Sequence, residues 1–518
     1  MTMRSFATTV ALPLLLLVVV ATLLNEVPSA SSFTLPLAQR VSPSFTTGRS
    51  LFAGSGVLKT QKEDATTSVY KRTNKQQYRQ SSADDILLDL DGNPLSKEYF
   101  QQAMGVVTDV DSFTCPEQDA FRGLMSNGGR VHLLPGGPTA FYKRIVFDTL
   151  DHAQEKLKKA PFKLKRDTKS YEVVAAFLAS KACRSMVETT GVKIPKCYDA
   201  QLRPNYSNPM ESKFSFLLED FAPSDGWYQQ WLLDDMEEIK ATLSSFAKIH
   251  AFFWHGSSFW KEDKQAAKEF EAGIWESGSY VQPVAQNTPT KNQCQEVAKE
   301  WDIKKMRFEK ELSSFEYWDN LGERLQSVAE ECGRLAHPFA EGTGISEQYK
   351  KYRTFTHGDP KQANLFFRRS PNSNHHQLQV GLIDFQWSGF GLASTDIAHF
   401  LTSAVHADKL FDGGEEILRR YYFNELQKYL VEYGAFSSAE DALQGYSYET
   451  FIEQYEIAVL DLVRLVVAYT WDRFEEHVEK DDKEACVRTM NKTSYNKSIP
   501  NIIWLMSRCH EMMKSRGV

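Results

Sequence analysis

The chain has 518 residues, 42% of them hydrophobic and 25% charged, with a formal net charge of −7. That length holds two lobes with sizeable cores, and an acidic balance without a basic stripe excludes nucleic acid as the expected partner. Seven cysteines, Cys115, Cys183, Cys197, Cys294, Cys332, Cys486 and Cys509, are scattered, odd in number and without a Cys-x-x-Cys pair. Reduced thiols are expected, not a disulfide framework or a zinc site.

At the N-terminus Arg4 precedes an apolar run from Val10 to Leu24, and Ala30-Ser31-Ser32 offers small residues for cleavage before Phe33. Residues 1–32 read as a secretory signal peptide. Between Phe33 and Ser82, Arg40, Arg49, Lys59, Lys62, Lys71, Arg72, Lys75 and Arg79 stand against only Glu63 and Asp64, amid many Ser and Thr. Residues 33–82 therefore read as a basic, transit-peptide-like and disordered segment. Signal peptide, Phe33 and basic segment together resemble the bipartite presequence of algae with complex plastids, which implies a plastid. A secreted or signal-anchored protein with a basic linker is the alternative.

Arg130–Leu134 and Thr139–Phe147, joined by Pro135-Gly136-Gly137-Pro138, read as two strands around a tight turn, with Lys143 central in the second. Ser126-Asn127-Gly128-Gly129 precedes them, and its two glycines would let backbone N–H groups approach phosphates. A simple hairpin turn explains the same residues. Ser170–Leu178 reads as a helix carrying Glu172, and Phe214–Leu218 as an apolar strand ending in Glu219-Asp220. Farther on, Ile239, Leu243, Phe246, His250, Phe253 and Trp254 recur at helical spacing, which makes His250 a core histidine. The stretch His255–Arg353 is charged and aromatic-rich. A second apolar helix, Phe451–Tyr469, is interrupted by Glu456, Asp461 and Arg464, so no membrane span is expected in the mature core.

The densest signal is Thr356-His357-Gly358-Asp359-Pro360-Lys361-Gln362-Ala363-Asn364, followed by Leu382-Ile383-Asp384-Phe385-Gln386. Moving the terminal phosphoryl group of ATP needs a carboxylate that orients the attacking hydroxyl and an Asn/Asp pair that holds Mg²⁺. Asp359, Asn364 and Asp384 supply these in order. The apolar runs Leu365–Phe367 and Leu378–Phe385 flank a turn-rich connection, a hairpin that would bring Asn364 beside Asp384. Asp396 opens a helical pattern with Ser394 or Thr395 as N-cap, and its expected work is to hydrogen-bond the backbone that presents Asp359. Only eleven residues separate Asp384 from Asp396, and Ala-Pro-Glu is missing. A small hydroxylated acceptor is thereby favoured over a peptide.

This segment resembles the catalytic stretch of the aminoglycoside phosphotransferase and choline kinase superfamily, and His-Gly-Asp with Ile-Asp-Phe-Gln is closest to its ecdysteroid-kinase-like branch. The resemblance implies Asp359 as catalytic base, Asn364 and Asp384 as magnesium ligands, and Lys143 as the phosphate lysine, ion-paired to Glu172. It also implies adenine contacts at Leu218 and Glu219. Lys361 is placed to reach the γ-phosphate as a point charge, Gly128 and Gly129 to lie over the phosphates, and ATP and Mg²⁺ to be the cofactors. The expected fold is α+β, two-lobed and protein-kinase-like, with a small β-rich lobe over 83–222 and a large helical lobe over 223–518. A small-molecule kinase is the leading reading. A nucleotide-binding pseudokinase is second and a peptide-phosphorylating kinase third.

Overall fold

The computed structural model describes residues 87–105, 110–116, 120–122, 125–159, 161–279, 290–313, 318–369, 378–468 and 498–518. All of these belong to one compact unit, Tyr78–Val518. The leader segments read from sequence, 1–32 and 33–82, lie outside the described residues.

An antiparallel sheet forms the first part. Its strands are β1 (Ser112–Thr114), β2 (Ala120–Arg122), β3 (Asn127–Leu134), β4 (Thr139–Val146), β5 (Cys197–Arg203) and β6 (Lys213–Glu219). They lie in the order β1-β3-β4-β6-β5, with β2 also paired to β3. Successive side chains of a strand point to opposite faces, so β4 serves two packings at once. Ala140 and Tyr142 join Val131, Leu133, Leu217 and Phe100 on one face. Ile145 packs on the other against Tyr171 and Val174 of helix α1 (Pro161–Ala179) and against Phe214 and Phe216 of β6. Lys143 shares the face of Ile145 and so points toward α1. Immediately past β6, Asp220 accepts from Arg130 Nη2 of β3 at 3.1 Å, which ties the exit of the sheet to its centre.

The rest is mainly helical. Helix α2 (Met236–Phe252) carries the apolar stripe read from sequence, and His250 on it is fully buried. Around it stand α3 (Leu321–Ala336), α4 (Ala393–Ala404), α5 (Gly414–Glu432), α6 (Tyr448–Ala468) and α7 (Ile499–Ser515). No helix among the described residues is long and apolar enough to cross a membrane. Two small sheets accompany these helices. β7 (Trp227–Tyr228) pairs with β9 (Leu365–Arg369), β9 pairs with β10 (Leu378–Leu382), and β8 (Arg353–Thr356) pairs with β11 (Gly389–Leu392). The hairpin expected around the polar connection is β9–β10, with Leu365 opposite Leu382.

The helix expected to open at Asp396 begins earlier, at Ala393, and has no side-chain cap. Thr395 Oγ1 instead donates back to Leu392 O at 2.7 Å, which corrects the assignment of Ser394 or Thr395 as N-cap. Asp396 lies in the first turn, where the helix N-terminus favours a carboxylate.

A column of rings joins the two parts. Phe177 of α1 stacks on Phe355 of β8 at 4.8 Å and meets Phe385 at 4.6 Å, and Phe385 in turn meets the His357 ring at 4.7 Å. Phe385 is 1% exposed. Phe385→Ala should therefore cost roughly 3–5 kcal/mol, whereas Phe385→Leu, which keeps most of the volume, should cost less than about 1.5 kcal/mol. Urea denaturation of the two variants checks this, and equal losses would place the ring outside the core.

Candidate active site

β8 delivers the chain to His357, and a tight loop then carries Gly358, Asp359, Pro360 and Lys361 before a single turn, Gln362–Asn364, leads into β9. Gly358 sits at φ 80°, and a Cβ there would come within 2.2 Å of the Trp387 carbonyl oxygen, so the loop has room only for glycine. Asp396 holds this loop by its backbone. Its Oδ2 accepts from His357 N–H at 2.7 Å and its Oδ1 from Gly358 N–H at 2.9 Å. His250 Nε2 approaches the same Oδ2 at 3.2 Å, and its Nδ1 lies 2.7 Å from Tyr422 Oη. Burial alone would raise the Asp396 carboxyl, but the hydrogen bond and charge of His250, aided by His357 and Gly358 N–H, hold it below the ordinary carboxylate value.

Asp359 is 5% exposed. Lys361 Nζ donates to its Oδ2 at 2.7 Å, and Asn364 Nδ2 donates to its carbonyl oxygen at 2.8 Å and to Oδ2 at 3.4 Å. Its other oxygen, Oδ1, faces His399 Nε2 at 3.5 Å. Lys361, expected to reach a phosphate, thus lies on the Asp359 carboxylate. Asn364 spends its amide N–H₂ on Asp359, which leaves its side-chain oxygen to face a cation.

Asn364 O accepts from Ile383 N–H at 3.1 Å, so the hairpin brings Asn364 and Asp384 to the same end, as its pattern implied. Asp384 has φ 65° and ψ 62°, a left-handed backbone uncommon for any residue with a side chain. Its Oδ1 is buried without a hydrogen-bond partner and lies 3.5 Å from Lys143 Nζ. A buried, undonated carboxylate oxygen fits a cation. Among the described residues no cluster of three or more His, Cys, Asp or Glu would hold a metal alone. Asn364 and Asp384 fit the kind of site in which a magnesium ion takes one or two protein ligands and completes its shell from phosphates and water.

The expected ion pair between Lys143 and Glu172 is corrected. Glu172 accepts instead from the Tyr206 hydroxyl, and the carboxylate beside Lys143 is that of Asp384. Neighbouring helix positions point about 100° apart, and α1 turns Tyr171, not Glu172, to the lysine, whose Nζ lies 5.8 Å from the ring centre. Gly128 and Gly129 also differ from expectation. They lie within β3, between β2 and β4, with Gly128 opposite Lys143 and Gly129 opposite Tyr142. No loose loop is formed there, because both strand neighbours claim the backbone. Leu218 and Glu219 end β6, where Glu219 N–H donates to Lys196 O at 2.8 Å and Glu219 Oε2 accepts from Lys196 N–H at 3.1 Å.

These are the parts of a kinase-type phosphotransferase. The chain belongs to the ecdysteroid kinase-like family, whose model it matches over residues 152–435, more than half its length. The matched span includes Asp359, Asn364, Asp384 and Asp396 and stops short of Lys143. Likenesses to solved structures are distant. An ethanolamine kinase of Plasmodium vivax shares 11% identity with a TM-score of 0.34, over 78% of this chain and 85% of that one. An amicoumacin kinase solved with AMP-PNP and Ca²⁺ shares 10% with a TM-score of 0.32, over 78% and 94%. A choline/ethanolamine kinase family protein from Mesorhizobium loti shares 10% with a TM-score of 0.28, over 79% and 98%. No curated protein matches the chain.

Sequence reasoning missed His399, Tyr171 and the buried group His337–Asp461–Arg464. The available signal was an Asp and an Arg three apart inside an apolar helix, which rarely occurs unless the charges pair. His399 is 4% exposed, and burial pushes its imidazole down to about 4, although Asp359 and Asp396 pull the other way. Between pH 4 and 6.5 the unfolded state then binds a proton that the folded state does not. Stability rises with pH across that window and is lost on acidification, by roughly 3 kcal/mol from this group. His399→Gln should flatten the stability curve between pH 4 and 6.5 by about that amount, read from urea midpoints at each pH. An unchanged slope would show that His399 ionises freely in the fold.

Proposed function

We propose that the protein transfers the γ-phosphoryl group of ATP, with Mg²⁺, to a hydroxyl of a small molecule. The carrying observation is the Asp384 carboxylate, held in a strained backbone with one oxygen undonated beside the Lys143 ammonium and at the same hairpin end as Asn364. Bound magnesium would neutralise phosphate charge, held by Asn364 and Asp384. Lys143 would steady the phosphates. Asp359 would accept a hydrogen bond from the acceptor hydroxyl and then its proton, while the acceptor oxygen bonds to the γ-phosphorus, the bond from that phosphorus to the β,γ-bridging oxygen breaks, and ADP leaves. Lys361 on Oδ2 would keep the Asp359 carboxylate turned so that Oδ1 meets the acceptor.

A nucleotide-binding scaffold without turnover is the second reading. The observation in its favour is that α1 offers Lys143 a tyrosine ring and no carboxylate. Division of labour between the carboxylates separates the two. Asp359→Asn should leave Mg-ATP affinity within a few-fold while lowering transfer from labelled ATP to components of a metabolite extract by a factor on the order of 10² or more. Asp384→Ala should weaken Mg-ATP binding itself, measured by calorimetry. Undiminished transfer by the Asp359 variant would remove the assigned mechanism.

For residues 1–82 we propose a two-step address. The apolar run Val10–Leu24 would direct the chain into the secretory membrane, and cleavage would then expose Phe33 at the head of a basic segment that plastid receptors read. Residues 1–82 fused to a fluorescent protein should reach the plastid interior of an alga with a complex plastid, and Phe33→Ala should divert the fusion. Secretion or membrane retention of both fusions would return the segment to the plain secretory reading.

A further inference from the structure

Helix α1 touches the site with two of its faces. Arg166 and Phe177, eleven residues and so about three turns apart, stand in line along it. The Arg166 guanidinium lies 4.7 Å from the centre of the Trp387 ring, and Phe177 lies 4.6 Å from Phe385. Both of those rings belong to the single turn that follows Asp384. Tyr171 is rotated by more than about 100° from that line and faces the sheet. It is 2% exposed and packs among Phe147, Phe214 and Phe216.

Tyr171 makes two further contacts there. Its hydroxyl donates to Met125 O at 3.1 Å, and Lys143 Nζ lies over its ring, 5.8 Å from the centre. Met125 stands in the turn between β2 and β3, and Gly128, three residues on, is opposite Lys143 in the ladder. Turn and lysine are therefore neighbours. Burial, then the charges of Asp167 and Asp384, push the ionisation of the Tyr171 hydroxyl well above its ordinary value, against an opposing hydrogen bond from the Gln386 side chain. The hydroxyl keeps its proton and is available as a donor.

A ring and a carboxylate hold a lysine differently. A carboxylate cancels the charge and takes up N–H donors. An aromatic face attracts the ammonium through its quadrupole and occupies none of the three N–H groups. Asp384 Oδ1 stands 3.5 Å from Lys143 Nζ. If Asp384 turns to a cation, the ring still gives Lys143 a direction, and the lysine brings its full charge and all its donors to phosphate.

We propose that Tyr171 is a positioning residue for the nucleotide: its ring aims Lys143, where an ion pair with Glu172 was expected, and its hydroxyl holds the β2–β3 turn against α1. Turn, lysine and the segment after Asp384 are then all set by one helix. The inference rests on the phosphotransferase reading above, in which Lys143 and Asp384 meet Mg-ATP. Tyr171 itself touches no reacting atom and acts through Met125 and Lys143.

The test is calorimetric titration of the full chain with Mg-ATP, which needs no acceptor, alongside transfer from γ-labelled ATP to a metabolite extract. Tyr171→Phe keeps the ring and should weaken Mg-ATP binding about three- to tenfold, the worth of one hydrogen bond, with transfer at saturating ATP within about twofold of wild type. Tyr171→Leu also removes the ring and should weaken binding by about a further three- to tenfold. In a Lys143→Met background that further loss should vanish, because the ring acts through the lysine, whereas a role in packing alone would leave it in place. Equal affinity of wild type and Tyr171→Phe, or a ring effect that persists without the lysine, would overturn the inference and leave the kinase reading standing. Mg-ATP binding without transfer would move the function to the scaffold reading, and the affinities would still decide the role of Tyr171. No Mg-ATP binding by the wild type would bring down both. Where Tyr171→Leu fails to fold, Tyr171→Met takes its place in the cycle.

Discussion

One buried carboxylate orders the loop that carries Asp359. Asp396 turns both oxygens to two consecutive backbone amides, those of His357 and Gly358, and two such bonds fix the direction of a peptide plane where one would leave it free to pivot. A lone carboxylate in this environment would cost several kcal/mol. His250 offsets that cost with its Nε2 3.2 Å from Oδ2, while its Nδ1 lies 2.7 Å from the Tyr422 hydroxyl. Helices α2, α4 and α5 are thereby joined at the same point, and Asp359 inherits its place from them. The His357 ring adds a second tie. Its Nε2 lies 2.9 Å from Ile383 O, so the loop carrying Asp359 and the strand end carrying Asp384 move together.

With the loop so fixed, the charges of the site fall into two compensated pairs, Lys361 with Asp359 and Lys143 with Asp384. Each lysine occupies the carboxylate that, on the proposed chemistry, works on the acceptor or the metal. The arrangement is what electrostatics demands of a half-buried cleft before phosphates arrive: like charges apart, each anion next to a cation. Binding of a polyanion together with a divalent cation would exchange partners: Asp384 would turn to the cation and Lys143 to phosphate. The expected partner Glu172 plays no part in this exchange, since its direction on α1 commits it to Tyr206.

What could be read from sequence follows the range of the interaction. The β3–β4 and β9–β10 hairpins and the apolar stripe of α2 rest on periodicity and turn chemistry within a dozen or so residues, and the strands and helix stand close to where the pattern puts them. Asp396 was legible because an acid at the start of an apolar helix has few other uses. The pairing of Lys143 was not, since choosing between Glu172 and Asp384 requires knowing how α1 is rotated over the sheet. The group His337, Asp461 and Arg464 was hidden in the same way. Asp461 and Arg464 read as charges that interrupt a helix, while the histidine that completes the set comes 124 residues earlier. Gly128 and Gly129 suggested a loop because glycine permits one, yet the strands on either side recruit them into the ladder.

The short path from Asp384 to Asp396 bears on the size of the acceptor. Phe385 to Trp387 form a single turn, β11 follows at once, and α4 starts directly after it. β11 has no free edge. β8 pairs along one side, and on the other Trp275 N–H donates to Ser388 O, Phe390 N–H to Trp275 O, and Gly278 N–H to Phe390 O. An extended peptide docks by adding its backbone to an open strand edge or by lying along a segment with unpaired amides. Here those amides are spent within the fold, and Gly389 is packed so closely that a Cβ would fall 2.4 Å from the Trp275 carbonyl oxygen. The same pairing continues at Ser279, whose N–H donates to Trp387 O at 2.9 Å. On the proposed chemistry, an acceptor reaching Asp359 from this side would find no strand edge to join.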